Sequence, residues 1–111
     1  MKKTILLLGF LFVAATAGAS PSVAQVKRDI IETCHEEKFN PAIMLAIASR
    51  ESDFGLTLDR NWKGDGGFGF GVFQVDRRYH REFLLRNNWK CTKVSCRYAI
   101  RLIRSGLKRF K

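Results

Sequence analysis

Three carboxylic acids occupy positions that could support acid–base chemistry: Glu51, Asp65 and Asp76. Glu51 follows the apolar run Ala42–Ala48, so a helix through that run would hold its carboxyl partly out of water. Asp65 and Asp76 belong to the stretch Gly64–Asp76, whose glycines let a backbone or a ligand come close. Glycoside hydrolysis requires such a set. One acid protonates the leaving oxygen, and another group activates water or stabilises the oxocarbenium-like transition state.

Each of these acids also has a purely structural explanation. Glu51 could pair with Arg50 or be solvated at a helix end, Asp65 could be a turn residue, and Asp76 could cap a helix. The glycines could form a flexible linker or hairpin turns. The combination of one partly buried acid and two loop carboxylates nevertheless favours a site.

The sequence predicts two helices before the glycine-rich stretch. Apolar residues at near-helical spacing predict a first helix over Val26–Glu37. Asn40 and Pro41 supply an N-cap and a first-turn proline for a second helix, and Gly55 is its stop signal. Because the body of this second helix is apolar all round, we expect it to be central and buried.

The part of the chain after Gly55 is predicted to combine loops, a short strand and two helices. Leu56–Gly69 has no period and indicates a loop, and Gly71–Val75 indicates a strand or hairpin arm. Asp76 could begin a third helix that includes Tyr79, Phe83 and Leu84. A last helix after Cys91 has an apolar side (Cys96, Ile100, Ile103, Leu107, Phe110) and a basic side (Arg97, Arg101, Arg104, Lys108). The predicted fold class is mainly α with a small β-hairpin.

The N-terminus is typical of a secretory signal peptide. Lys2 and Lys3 precede the apolar run Ile5–Ala15, and small residues then offer cleavage after Ala19 or after Ala24. A membrane anchor is the alternative, but the run is shorter than the roughly 20 apolar residues that span a bilayer. We therefore predict a signal peptide at 1–19, a domain at 25–111, and a secreted, extracellular product.

The chain is strongly basic. Its formal net charge is +10, of which Lys2 and Lys3 contribute two, so the remainder carries +8. Such a charge favours anionic partners such as bacterial walls, acidic glycans or an anionic membrane surface. No nucleic-acid motif accompanies the charge, so we expect no nucleic-acid partner.

The three cysteines, Cys34, Cys91 and Cys96, could supply a disulfide in an oxidising compartment, and the sequence does not choose the pairing. Together with two histidines they match no zinc-ligand spacing. We expect no metal, no cofactor and a monomer.

Several motifs in one order resemble goose-type lysozyme, within the lysozyme-like and lytic transglycosylase superfamily. These are Ser49-Arg50-Glu51-Ser52, then Gly64-Asp65, then Gly69-Phe70-Gly71-Val72-Phe73-Gln74-Val75-Asp76-Arg77-Arg78-Tyr79-His80. The resemblance is close over about Asn40 to His80. It implies a lysozyme-like α+β fold and hydrolysis of the β-1,4 bond between N-acetylmuramic acid and N-acetylglucosamine in peptidoglycan.

The resemblance also implies roles for individual residues. Glu51 matches the general acid, and Asp65 and Asp76 match carboxylates that place or activate water in an inverting reaction. Substrate-binding residues would be Phe73, Gln74, Tyr79 and His80. Lytic transglycosylase activity is an alternative in the same superfamily.

This sequence departs from the family pattern at three places. Lys63 is inserted between Trp62 and Gly64, and Phe73 replaces a methionine. The chain also stops at Lys111, without the tyrosine-asparagine motif of the family's C-terminal part, so we expect an incomplete domain. Two further classes therefore stay open: a wall-binding protein without turnover, and a cationic membrane-active protein that uses the basic last helix.

Overall fold

A computed structural model describes residues 20–106 of the chain. Its helices are α1 (Val23–Glu37), α2 (Pro41–Ser52), α3 (Arg81–Arg86) and α4 (Thr92–Arg104). Three short strands, β1 (Lys63–Gly64), β2 (Gly69–Phe70) and β3 (Val75–Asp76), form an antiparallel sheet in that order, with a 3₁₀ turn at Asp65–Gly67. The predicted fold class, mainly α with a small β element, is confirmed. The predicted signal peptide at 1–19 and the apolar positions 107 and 110 lie outside the described residues.

Local capping fixes the two N-terminal helices. The side chain of Ser22 accepts a hydrogen bond from the Gln25 amide (3.1 Å), and the side chain of Asn40 accepts one from the Ala42 amide (2.9 Å). Both bonds satisfy amides that have no partner inside their helix. The predicted start of α2 at Asn40–Pro41 is therefore confirmed, whereas α1 begins three residues before the predicted Val26.

One core holds the helices together, because α1 packs against both α2 and α4. On α1 the buried apolar residues are spaced by four positions, as the sequence predicts. Ile31, which the sequence also places on the buried stripe, is 37% exposed. The fully buried members are Val26, Ile30, Cys34, Met44, Ala48, Phe73, Cys96, Ala99 and Ile100.

The prediction that α2 is central and buried is wrong. Of its residues only Met44, Ala48 and Ser52 are buried, and Ile43 is 45% exposed. The buried residues of α2 are spaced by four positions and lie on one side of the helix, which packs against α1. An apolar sequence alone does not supply the additional neighbours that a central helix needs.

The expected disulfide is not confirmed, since Cys34, Cys91 and Cys96 are free thiols in this structure. Cys34 and Cys96 are both fully buried in the core. Burial raises the pKa of both thiols, because the interior disfavours the thiolate. These two residues therefore act as small apolar core side chains.

The region predicted as a strand at Gly71–Val75 is mostly a turn between β2 and β3. Gly71 and Gln74 both have positive φ values (77° and 52°), and the Gln74 amide donates to the Gly71 carbonyl at 3.0 Å. Such backbone angles are incompatible with an extended strand. The predicted third helix also begins later, at Arg81, so Tyr79 precedes it and His80, not Asp76, is its N-cap residue.

The basic side of α4 faces the acids of α1. Lys93 pairs with Glu32 (2.7 Å), Arg97 pairs with Glu36 (3.1 Å), and Arg104 pairs with Glu37 (3.4 Å). Of the basic side that suggested a membrane-active helix, Arg97 and Arg104 are therefore paired with acids of α1 within the fold, while Arg101 is exposed. Within residues 20–106 no helix has both the length and the apolar character needed to cross a bilayer.

Candidate active site

The register of the sheet gives its two faces different side chains. Gly64, Gly69 and Asp76 are opposite one another across the three strands, as are Lys63, Phe70 and Val75. Residues directly opposite point to the same face, and successive residues point to opposite faces. One face therefore carries Asp76 beside two glycines, and we call it the carboxylate face. The other carries Lys63 and Phe70, and we call it the basic face.

The glycines of the carboxylate face make room for the side chain of Gln74. A Cβ atom on Gly64 would lie 2.8 Å from Oε1 of Gln74, and one on Gly69 would lie 2.6 Å from its Cδ. The Gln74 amide is buried and donates from Nε2 to the Gly71 carbonyl at 2.9 Å. The glycine-rich sequence thus places a fixed carboxamide on the face that holds Asp76.

Asp76 is held as a carboxylate by Arg78. Its Oδ1 accepts from the Arg78 backbone amide (2.8 Å) and Nε (3.0 Å), and its Oδ2 accepts from the second guanidinium nitrogen (2.7 Å). Asp76 is only 1% exposed, whereas Arg78 is half exposed. The hydrogen bonds from Arg78 lower the pKa of Asp76 to about 2, against the opposing effect of burial. Asp76 therefore remains ionised at any physiological pH.

Asp65 lies within the electrostatic range of the same guanidinium. Its charge raises the pKa of Arg78, although less than the hydrogen bond to Asp76 does. Asp65 itself is exposed and has a positive φ of 54°, in the 3₁₀ turn that follows β1. Arg78 thus binds Asp76 directly and interacts electrostatically with Asp65.

Glu51 comes from the last turn of α2. Its side chain is 17% exposed, and its Oε2 lies 3.5 Å from the exposed guanidinium of Arg50. The next residue, Ser52, is buried and donates from Oγ to the Val72 carbonyl at 2.7 Å. This bond ties the end of α2 to the turn between β2 and β3, so Glu51 lies beside the turn that carries Gln74. The predicted partial exposure of Glu51 is confirmed.

The four predicted substrate-binding residues have very different environments. Tyr79 is 68% exposed, and Gln74 is buried against the glycines. The Nδ1 atom of His80 lies 2.8 Å from the hydroxyl of Tyr98. Phe73 is fully buried in the core. A side chain so placed cannot contact a ligand from solvent, so Phe73 supports the turn from beneath and does not bind substrate.

Two site residues were not singled out from the sequence. Arg78 follows Asp76 by two residues, a spacing at which an aspartate often accepts from the backbone, so a local signal existed. Tyr98 lies 18 residues from His80 along the chain and stacks on Phe83 at 3.8 Å, and no local pattern indicates that contact.

The polar groups of the site are carboxyl, carboxamide and guanidinium groups. No group of three His, Cys, Asp or Glu side chains in residues 20–106 could hold a metal ion. The arrangement instead offers a partly exposed carboxyl on α2, two carboxylates around one guanidinium, and a fixed amide. These groups can hydrogen-bond sugar hydroxyls, donate a proton and orient a water.

A Gly69→Ala substitution should displace the Gln74 amide. The new methyl group overlaps Oε1 and Cδ of a buried side chain, and we expect the free energy of unfolding to fall by about 1–3 kcal/mol. Urea denaturation measures this loss. The control is the same substitution in a Gln74→Ala chain, where the space is vacant. An equal loss in both chains would show that Gln74 is not the cause.

A mostly helical fold with an acid at a helix end beside a small carboxylate-bearing sheet defines a lysozyme-like protein. The comparison with known families makes this specific: the family model described as Lysozyme g matches residues 15–105. The chain therefore belongs to the Lysozyme g family.

Individual relatives are similar over shorter segments. The chain is 54% identical over 41 residues to Lysozyme g of Gallus gallus, covering 37% of this chain and 19% of that protein. It is 52% identical over 42 residues to Lysozyme g of Struthio camelus (38% and 20%), and 41% identical over 54 residues to Lysozyme g of Cyprinus carpio (49% and 29%). The aligned segments thus span less than a third of these relatives' length. No solved structure gives a significant match.

Proposed function

We propose that this protein hydrolyses the β-1,4 bond between N-acetylmuramic acid and N-acetylglucosamine in peptidoglycan. The observation that carries this proposal is the guanidinium of Arg78, which holds Asp76 and interacts with the charge of Asp65. Asp76 lies on the strand that follows the turn to which Ser52 ties the end of α2. Family membership supports a lysozyme-type function and adds the substrate class. Glu51 is the general acid that protonates the leaving oxygen.

The two aspartates have different roles in the attack of water. Asp76 is a weak base because its pKa is about 2, so it orients the water and stabilises positive charge at the anomeric carbon. Asp65 is exposed and receives the proton of the attacking water. In an inverting reaction the acid and the base are separated by roughly 6.5–9.5 Å, which leaves space for that water. Tyr79 and His80 contact the sugar, and the buried amide of Gln74 supports the turn beneath it.

We further propose that the protein is secreted after removal of residues 1–19. Cleavage after Ala19 leaves Ser22 in place as the N-cap of α1, whereas cleavage after Ala24 removes the cap and the first two residues of the helix. Loss of an N-cap costs about 1 kcal/mol. The product is a monomer that acts on bacterial walls, in antibacterial defence or wall digestion.

Two alternatives predict different products or partners. A lytic transglycosylase uses the same glutamate but closes an anhydro ring on the muramic acid in place of adding water. A cationic membrane-active or wall-binding protein would not cleave the glycan. The pairing of α4 with α1 argues against the membrane-active form.

The test is incubation of the secreted protein with purified wall glycan, followed by mass spectrometry and proton NMR. Hydrolysis yields reducing-end fragments, and inversion yields the α anomer first. Fragments lighter by one water would identify a transglycosylase. Binding without any new fragment would leave only the non-catalytic alternative.

A further inference from the structure

The basic face of the sheet opens into a groove that shares only Arg78 with the proposed catalytic site. Its cavity has a volume of about 740 Å³, within the range of about 300–1,000 Å³ typical of ligand sites. Its lining contains none of the three proposed catalytic acids. The cationic side chains are Lys63, Arg77, Arg78 and Arg81, and the apolar ones are Phe70, Leu84, Leu85 and Trp89.

The register places this groove behind the carboxylate face. Lys63 and Phe70 are opposite each other on β1 and β2, and their side chains point away from the face of Asp76. Arg78 lies between the two sides, since it binds Asp76 and also lines the groove. A ligand in the groove would therefore leave the carboxylate face accessible.

Of the four cations of the groove, only Arg78 has an acidic partner, Asp76, among the described residues. On α4, Lys93, Arg97 and Arg104 pair with glutamates of α1. None of the salt bridges in residues 20–106 involves Lys63, Arg77 or Arg81. Positive charge is thus concentrated in a concave region, where it attracts anions strongly.

The floor of the groove is apolar and partly fixed. The rings of Phe70 and Trp89 lie 4.7 Å apart, and the Trp89 carbonyl accepts from the Ser95 hydroxyl at 2.7 Å. Leu85 is 72% exposed. The ligand that fits such a site carries small aliphatic groups for the floor and carboxylates for the rim, where arginine binds carboxylates in a bidentate manner.

We propose that this groove binds the short acidic peptides that substitute the wall glycan. These peptides combine methyl groups with free carboxylates. The assignment of the polymer rests on the proposed function, but the binding itself does not require cleavage. The groove would give the protein a second attachment to the same polymer, on the side away from the carboxylates.

The test is an NMR titration of the full chain with a synthetic tetrapeptide of alanine and glutamate that has free carboxylates. We expect the Nε–H resonances of Arg77 and Arg81 to shift, and the dissociation constant of an Arg77→Gln/Arg81→Gln chain to rise about tenfold. The matched control is Arg28→Gln/Arg60→Gln, which removes the same charge from exposed arginines outside the groove. It should bind as the wild type does.

Three results would overturn the proposal. They are an equal loss of binding in the control chain, equal binding of a peptide whose carboxylates are amidated, and tighter binding of a glycerol-phosphate polymer by the same arginines. A parallel sedimentation assay in a Glu51→Gln background compares intact walls with walls stripped of peptide. We expect the groove variant to bind intact walls less than the control does, and the two chains to bind stripped walls equally. This comparison does not depend on whether the wild type cleaves the walls.

Discussion

Replacing Glu51 with glutamine is expected to lower the rate of wall cleavage by about 100- to 10,000-fold, the range over which a general acid contributes. Glutamine keeps the shape of the side chain but cannot give a proton to the leaving oxygen. Since Glu51 is near the end of α2 and is not fully buried, the fold should be retained. Turbidity of a wall suspension at low salt measures the rate, and circular dichroism verifies the fold.

The matched control is Glu82→Gln. It removes the same charge from an exposed glutamate that pairs with Arg86 on α3. Cleavage by this variant should equal that of the wild type. If both variants lose activity equally, the effect arises from net charge and the assignment of Glu51 fails. Unchanged clearing by the Glu51 variant would instead indicate a membrane or charge effect, independent of glycan hydrolysis.

The sequence predicts those structural features that a single side chain determines locally. Asn40 and Pro41 give the start of α2 because a cap and a first-turn proline act within two or three residues. The order of Glu51, Asp65 and Asp76 around the glycines likewise indicates a site. This signal is incomplete, because it does not indicate that Arg78 is the partner of Asp76.

Features that depend on distant neighbours could not be predicted. The apolar run of α2 suggested a central helix, yet burial depends on how many elements surround it, and Ile43 is half exposed. The basic side of α4 suggested a membrane surface, yet Arg97 meets Glu36 from 61 residues away. Gln74 adopts a positive φ, which is rare for its residue type, so the sequence predicts a strand where the chain forms a turn.

A second large effect is expected at Asp76. In the folded chain its pKa is about 2, below the ordinary value of 3.8, because Arg78 donates hydrogen bonds to the carboxylate. A lowered folded pKa means that the unfolded chain binds the proton more readily. The charged carboxylate therefore contributes stability above about pH 4, and this contribution is lost as the pH falls towards 2.

The size of the contribution follows from the geometry. A difference of nearly two pKa units corresponds to roughly 2.5 kcal/mol, but Arg78 is half exposed and solvent screening reduces it to about 1–2 kcal/mol. Asp76→Asn should lower the free energy of unfolding by that amount at pH 7. At pH 2 the variant and the wild type should differ much less, because Asp76 is then only partly ionised in the folded wild type. Urea denaturation across this pH range measures the difference.

The same substitution should lower wall cleavage about 100-fold, since asparagine can hold a water but cannot stabilise positive charge at the anomeric carbon. Asp53→Asn is the control, because it removes a charge from an exposed residue just after α2. The hydrogen bond from Lys93 also lowers the pKa of Glu32, so every chain loses some stability in acid for this reason. The contribution of Asp76 is therefore the difference in unfolding free energy between the variant and the wild type. If Asp76→Asn loses stability equally at pH 2 and pH 7, the carboxylate charge is not what Arg78 stabilises. If Asp76→Asn is less stable but cleaves walls at the wild-type rate, Asp76 only positions Arg78, and Asp65 must orient the water.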